Sequence, residues 1–181
     1  MLITPSGLHK GFLRPTQIIT VNMAGERVDE PNANNVDLRP TSELPMHLEA
    51  YKQRPDICAV VHAHPPHAIT LSIANIPIAD DLIPEVTVFL GKIPVTPYAT
   101  PSSPENAEAI RTVITNYDAL VLQRHGSLTV GSTLMEAFMR LETVENSAKI
   151  AYMLAVLGVN SRIPADELAK LHRQRQQLLE K

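Results

Sequence analysis

The run Ala59-Val60-Val61-His62-Ala63-His64 stops at the pair Pro65-Pro66, and it constrains the fold more than any other segment. Apolar, β-branched residues favour an extended backbone packed in a core, and proline ends such a strand because it donates no ladder hydrogen bond. Residues two apart on a strand project from one face, so His62 and His64 point into the same place. A second apolar run, Ala119-Leu120-Val121-Leu122-Gln123-Arg124-His125-Gly126, also ends on a histidine. Three imidazoles at the ends of core strands can hold a divalent metal and leave one coordination position open, the arrangement of a catalytic ion. Spacing does not establish that His125 converges on the pair, and hydrogen-bonded structural histidines stand as the alternative.

The chain has 181 residues, 44% of them hydrophobic, which suits one compact domain spanning residues 1–181 with a sizeable core. A formal net charge of −3 supplies no basic field, so a nucleic-acid partner is not expected. No stretch approaches the ~18 consecutive apolar residues of a membrane span, and no signal-peptide pattern opens the chain. A cytoplasmic protein without membrane contact is the expectation. The single cysteine, Cys58, reads as a small buried hydrophobe in the apolar strand. Aromatics make up 4%, with no tryptophan, leaving little for stacking on bases or sugars.

Local signals order the rest. Residues 1–37 read as short strands and loops, including the run Gln17-Ile18-Ile19-Thr20-Val21 and a surface loop at Pro31-Asn32-Ala33-Asn34-Asn35. A helix is predicted from Ser42 to Tyr51, with Ser42 as N-cap and Pro45 in the first turn. A strand over Ile57–His64 and a short helix over His67–Asn75 follow. Ile83–Gly91 and Ile93–Val95 read as strand pieces. Ser103-Pro104-Glu105 opens a further helix, and a strand over Ala119–Gln123 delivers His125. Gly126-Ser127 reads as a turn before a strand over Leu128–Gly131. Thr133-x-x-Glu136 is a capping box for a helix that runs to Leu157 and closes at Gly158. A polar helix, Ala165–Glu180, reads as a solvated face. Alternating elements with proline-interrupted strands predict a layered α/β domain around a mixed sheet.

Glu43 stands in the first turn of the helix begun by Thr41-Ser42. Its local reading is a carboxylate suiting the helix dipole, worth at most about 1 kcal/mol. The sharper reading is a carboxylate aimed at the metal, able to bind it or to move a proton. Thr4-Pro5-Ser6-Gly7 and Thr41-Ser42 are either ordinary turns and caps or parts of an anion site at a helix N-terminus. His47, one turn beyond Glu43, shares its face, and His67 can support the metal site from behind. His9 and His172 read as structural or exposed. No lysine lies within an apolar strand, and Lys92 follows Gly91 in a turn, so Schiff-base chemistry is disfavoured.

In order, Ile3-Thr4-Pro5-Ser6-Gly7, Pro40-Thr41-Ser42-Glu43, His47, Tyr51-Lys52-Gln53-Arg54-Pro55-Asp56, Ala59-Val60-Val61-His62-Ala63-His64-Pro65, Pro97-Tyr98-Ala99, His125-Gly126 and Glu136-Ala137 resemble the zinc-dependent class II aldolase/adducin family. The likeness spans about residues 2–152 and is strongest to the fuculose-phosphate aldolase branch. It implies a three-layer α/β/α domain with a mixed, largely antiparallel sheet, assembled as a cyclic homotetramer. It implies His62, His64 and His125 as ligands of Zn2+ or another divalent metal, with Glu43 as acid/base and possible fourth ligand. It implies Ser6, Gly7, Thr41 and Ser42 around the phosphate of a small phosphorylated sugar. The implied reaction is reversible aldol cleavage of a ketose 1-phosphate to dihydroxyacetone phosphate and an aldehyde.

Alternatives within the resemblance are a dehydratase of a 1-phosphoketose, as in methylthioribulose-phosphate metabolism, a decarboxylase of the same fold, and a non-catalytic adducin-like module. Glutamate at position 43 favours aldolase or dehydratase, because the related epimerases usually carry aspartate there. Family members carry a helix and a Gly-Asn-x-Ser segment ahead of Ile-Thr-Pro-Ser-Gly, and this opening is expected to be missing here. The tyrosine associated with aldehyde handling has no match around residues 79–82, and no tyrosine follows Tyr152.

Overall fold

The computed structural model describes residues 1–180. Its centre is the hairpin of β5 (Ala119–Leu122) and β6 (Gly126–Gly131), in which every residue is buried. β6 pairs antiparallel with β5 on one side and with β3 (Ala59–Ala63) on the other. β4 (Val95–Thr96) adds parallel to β5, giving the order β3-β6-β5-β4. The sheet is mixed and largely antiparallel, as expected.

Alternation along these strands sorts their side chains into two cores. Ala119 and Val121 pack with Leu71 of α2 (Pro66–Ile73) and with Val144 and Ala148 of α4 (Leu134–Val156). Leu120, Leu122, Leu128 and Val130 pack on the opposite face with Met46 and Ala50 of α1 (Leu44–Gln53) and Ile110 of α3 (Pro104–Arg111). The result is the three-layer α/β/α arrangement. Outside it, β1 (Leu2–Ile3) pairs with β2 (Ile19–Thr20), and Ile3, Ile19 and Val21 form a third small core with Leu38 and Leu44.

The helix signals hold. Thr133 Oγ1 accepts the Glu136 N–H at 3.1 Å, and the Glu136 carboxylate accepts from the Ser132 N–H and hydroxyl, each at 2.7 Å. Gly158, with φ 66°, follows the end of α4 in the left-handed conformation that a non-glycine residue adopts only with strain. α5 (Ala165–Leu179) buries no residue, the solvated helix expected.

Four expectations fail for local reasons. Ile83–Gly91 is not a strand: Val86–Leu90 form a π-helical turn closed by Gly91 N–H to the Val86 carbonyl at 2.6 Å. Pro84 suits a first helical turn, and the winding puts both Val86 and Leu90 into the α2–α4 core while Phe89 faces out. Gly126-Ser127 is not the turn; residues 123–125 are, and Arg124 takes φ 60° there. The first helix starts at Leu44 rather than Ser42, because the Thr41 hydroxyl accepts the Glu43 N–H at 3.3 Å and makes a turn of its own. Cys58 is exposed, lying just before β3 begins.

Leu120 is fully buried between the sheet and α1/α3. Leu120→Ala is expected to cost about 2–5 kcal/mol, read as a lower midpoint in urea with unchanged slope.

Candidate active site

β3 and the β5–β6 turn bring the three sequence-predicted histidines together. His62 lies opposite Leu128 in the ladder, and its Nδ1–H donates to the Ser127 carbonyl at 2.9 Å. A carbonyl only accepts, so this bond fixes the tautomer and leaves the Nε2 lone pair free. That Nε2 faces His64 Nε2 at 3.1 Å. His125 closes the group, its ring centroid 4.9 Å from that of His62 and 5.1 Å from that of His64. One ring nitrogen from each lies within 4.8 Å of the other two, and His125 Nδ1 is buried without a hydrogen-bond partner.

Burial disfavours the charged form of two of these rings, His62 and His125. Burial pushes His62 down to about 3, opposed by its bond to Ser127 and reinforced by the neighbouring histidines. Burial also lowers His125, against the pull of the Glu43 carboxylate. Three imidazoles whose ring nitrogens approach one another this closely fit zinc and neighbouring divalent transition metals, which take imidazole nitrogen readily. An orphaned buried nitrogen and two facing Nε2 atoms are what such an ion would satisfy.

Gly126 makes this convergence sterically feasible. A Cβ there would lie 2.3 Å from the Ala63 carbonyl oxygen, 3.0 Å from His64 Cδ2 and 3.1 Å from His62 Cε1. Backbone occupies the place where a side chain would stand.

Glu43, 9% exposed, enters from the N-terminus of α1. Its Oε1 accepts from the Ser102 hydroxyl at 2.8 Å and its Oε2 from Asn106 Nδ2 at 2.7 Å. Oε1 stands 4.0 Å from His125 Nε2. His47 lies near this carboxylate; burial drives it down to about 4, opposed by Glu43 and aided by the charge on Lys10. His67 does not support the cluster: it pairs at 2.7 Å with Glu145, on the α4 side of the sheet. His9 and His172 are exposed.

The two hydroxyl-bearing turns lie side by side. Pro5 bridges to Pro40, the Ser6 N–H donates to Arg39 O at 2.9 Å, and Thr41 N–H to Thr4 O at 3.1 Å. Ser6, Gly7 and Ser42 are exposed beside Thr41, and the Lys10 ammonium folds back onto the Pro5 carbonyl. Sequence reasoning missed Lys10, Ser102, Asn106, Gly126 as a close-approach residue, and the Ser127 carbonyl. Ser102 and Asn106 stand 59 and 63 positions from Glu43, and no local pattern links them.

The sequence pattern of the Class II Aldolase and Adducin N-terminal domain family matches residues 1–152. This chain belongs to that family. The enzyme is 36% identical over 152 residues to an L-fuculose phosphate aldolase of Methanococcus vannielii, covering 84% of this chain and 78% of that one. It is 29% identical over 175 residues to a 3-oxo-tetronate 4-phosphate decarboxylase of Pectobacterium atrosepticum, covering 94% and 77%. It superimposes on a solved L-fuculose 1-phosphate aldolase with a TM-score of 0.81 at 29% identity, covering 97% of this chain and 80% of that one. The chain is therefore an enzyme of class II aldolase type, and the non-catalytic module is set aside.

Two expectations test this geometry. Gly126→Ala should leave a folded protein that no longer draws His125 to the pair, read as loss of Zn2+ binding by calorimetry. In metal-free protein His62 stays neutral down to about 3, whereas the unfolded chain protonates it near 6.5. The unfolded state then binds more protons between those values, so stability is full above 6.5 and falls as pH drops below it. The urea midpoint should decline on acidification, and less steeply in His62→Gln.

Proposed function

We propose that the enzyme is a metal-dependent lyase, with Zn2+ as its ion, that reversibly cleaves a small ketose 1-phosphate to dihydroxyacetone phosphate and an aldehyde. The reading rests on the approach of His62, His64 and His125 to one another beside Glu43. His62, His64 and His125 would hold the ion. When bound, the ion supplies Lewis acidity that polarises the substrate's carbonyl and hydroxyl oxygens. His62 is oriented for this by the Ser127 carbonyl, and the exposed edge of His64 leaves the site open to solvent and substrate.

Glu43 moves the proton. As a carboxylate it takes the hydroxyl proton of the ketose as the carbon–carbon bond breaks, and it returns a proton to the carbon left behind. Ser6, Gly7, Thr41 and Ser42 receive the phosphate with hydroxyls and backbone N–H groups ahead of α1, where the helix dipole favours an anion. The chain acts as one domain, in the cytoplasm, and assembles as a homotetramer. The exposed Leu134, Met135, Phe138 and Met139 along α4 favour self-association, and no helix among the described residues is long and apolar enough to cross a membrane.

A second reading, decarboxylation of a phosphorylated keto acid, is favoured by the Pectobacterium likeness, which covers 94% of the chain. Both reactions leave an enolate that the same ion and carboxylate would serve. Incubation of Zn2+-loaded enzyme with L-fuculose 1-phosphate and with 3-oxo-tetronate 4-phosphate, assayed for dihydroxyacetone phosphate and for carbon dioxide, separates them. Dihydroxyacetone phosphate is the expected product. Chelation should abolish turnover, and Glu43→Gln should lower kcat about 10²–10⁴-fold. Unchanged turnover in a folded Glu43→Gln variant removes the carboxylate from the mechanism.

A further inference from the structure

His62 takes its aim from a side-chain bond to the Ser127 carbonyl, and the other two imidazoles are held differently. His125 Nδ1 is buried without a partner, its Nε2 stands 4.0 Å from Glu43, and the exposed His64 turns its Nε2 toward His62. Their backbones must therefore set where they point. Both backbones are tied to α2, which begins two residues after His64 and meets the turn that carries His125 through Ser72. Pro65 and Pro66 restrict φ across the joint between β3 and α2. The orientation of this helix is thus passed directly to His64.

Two polar side chains fix α2. At its start the Glu145 carboxylate, reaching across from α4, accepts the His67 N–H at 3.2 Å, the Ala68 N–H at 3.1 Å and the His67 Nδ1–H at 2.7 Å. The first turn of a helix leaves such N–H groups without intrahelical partners, so a carboxylate from another element anchors it well. Glu145 also spans a gap. A cavity of about 780 Å³ is lined by Ala63, Pro65 and His67 on one side and by Phe138, Met139 and Glu142 on the other. Packing is loose at that place, and hydrogen bonds do the holding. Further along the helix Ser72, 2% exposed, donates its hydroxyl to the Ile69 carbonyl at 2.7 Å and accepts the Arg124 N–H at 2.9 Å. Arg124 holds φ 60°, a left-handed backbone that strains a residue with a Cβ, immediately ahead of His125. The bond to Ser72 sustains that turn against the strain.

We propose that Glu145 and Ser72 are positioning residues for the metal centre, holding α2 as a bracket that sets His64 at its start and His125 toward its end. The proposal rests on the reading of the three histidines as ligands given above. Neither residue belongs to the group of converging nitrogens; each acts through the backbone of a ligand-bearing segment. The His67 ring belongs to this bracket as a second handle for Glu145.

The test is calorimetric titration of the full chain with Zn2+ alone, with no substrate present. Ser72→Ala removes the acceptor of the Arg124 N–H, and Glu145→Gln sets an amide NH2 against N–H groups that need an acceptor. Each variant should stay folded and bind Zn2+ about tenfold more weakly. Thr133→Ala removes the cap of α4 and serves as the control for a general loss of stability. It should lower the thermal midpoint yet leave the Zn2+ Kd within about threefold of wild type. A purely structural role for Glu145 and Ser72 would make all three variants behave like this control. In metal-free protein, deuterium exchange at the Arg124 amide should run about tenfold faster in Ser72→Ala than in wild type. A Zn2+ Kd within about threefold of wild type in either folded variant overturns the proposal, as does equal weakening by Thr133→Ala or unchanged exchange at Arg124. If one variant does not fold, the other decides. Unchanged Zn2+ binding in His62→Gln would instead overturn the reading of the histidines as ligands, whatever the bracket variants give.

Discussion

Backbone meets backbone where Gly126 passes the Ala63 carbonyl, and the chemistry of this enzyme depends on that approach. Among the described residues, β6 is the strand that pairs with both histidine-bearing segments, reaching β3 through Ala63↔Ser127 and β5 through Leu122↔Gly126. The antiparallel register sets His62 opposite Leu128 and puts the turn at residues 123–125 level with the end of β3. A side chain at position 126 would push the two strand ends apart. His125 would then swing away from imidazoles whose positions are set by β3.

Burial does the second part of the work. An isolated imidazole in water is partly protonated near neutral pH, and a protonated ring cannot donate a lone pair to a metal. The layers packed against the rim of the sheet withhold solvation from the charged form, which is why His62 and His125 are both depressed. The Ser127 carbonyl then decides which nitrogen of His62 carries the proton. Glu43, close enough to act on His125, opposes part of this depression but does not reverse it.

The site is assembled from the end of the sheet and the α1/α3 layer on one of its faces rather than from one motif. The imidazoles ride on strands, Glu43 on the start of α1, and the two groups gripping Glu43 on α3 and the turn before it. The third small core, through Ile3, Ile19 and Val21, carries the Thr4–Gly7 turn to the start of α1. The strands, α1 and α3 share one core, and the small third core joins it where the Thr4–Gly7 turn meets the start of α1.

His62 and His64 were legible because strand alternation is a local property, and so were the cap at Thr133 and the stop at Gly158. The ordered motifs were enough to identify the family and to expect the layered fold. Other features were settled by contacts distant in sequence. Val86–Leu90 read as a strand because its residues favour one, but the α2–α4 core accepts both Val86 and Leu90 only when the run is wound. Gly126 read as a turn because glycine often is one; the neighbouring carbonyl needed its missing side chain more than the turn did, and Arg124 took the left-handed position instead. Sequence alone determined which groups could do chemistry. Only the tertiary structure decided that His125 joins the pair and that Ser102 and Asn106 hold Glu43, because those distances depend on strand register and helix packing rather than on spacing along the chain.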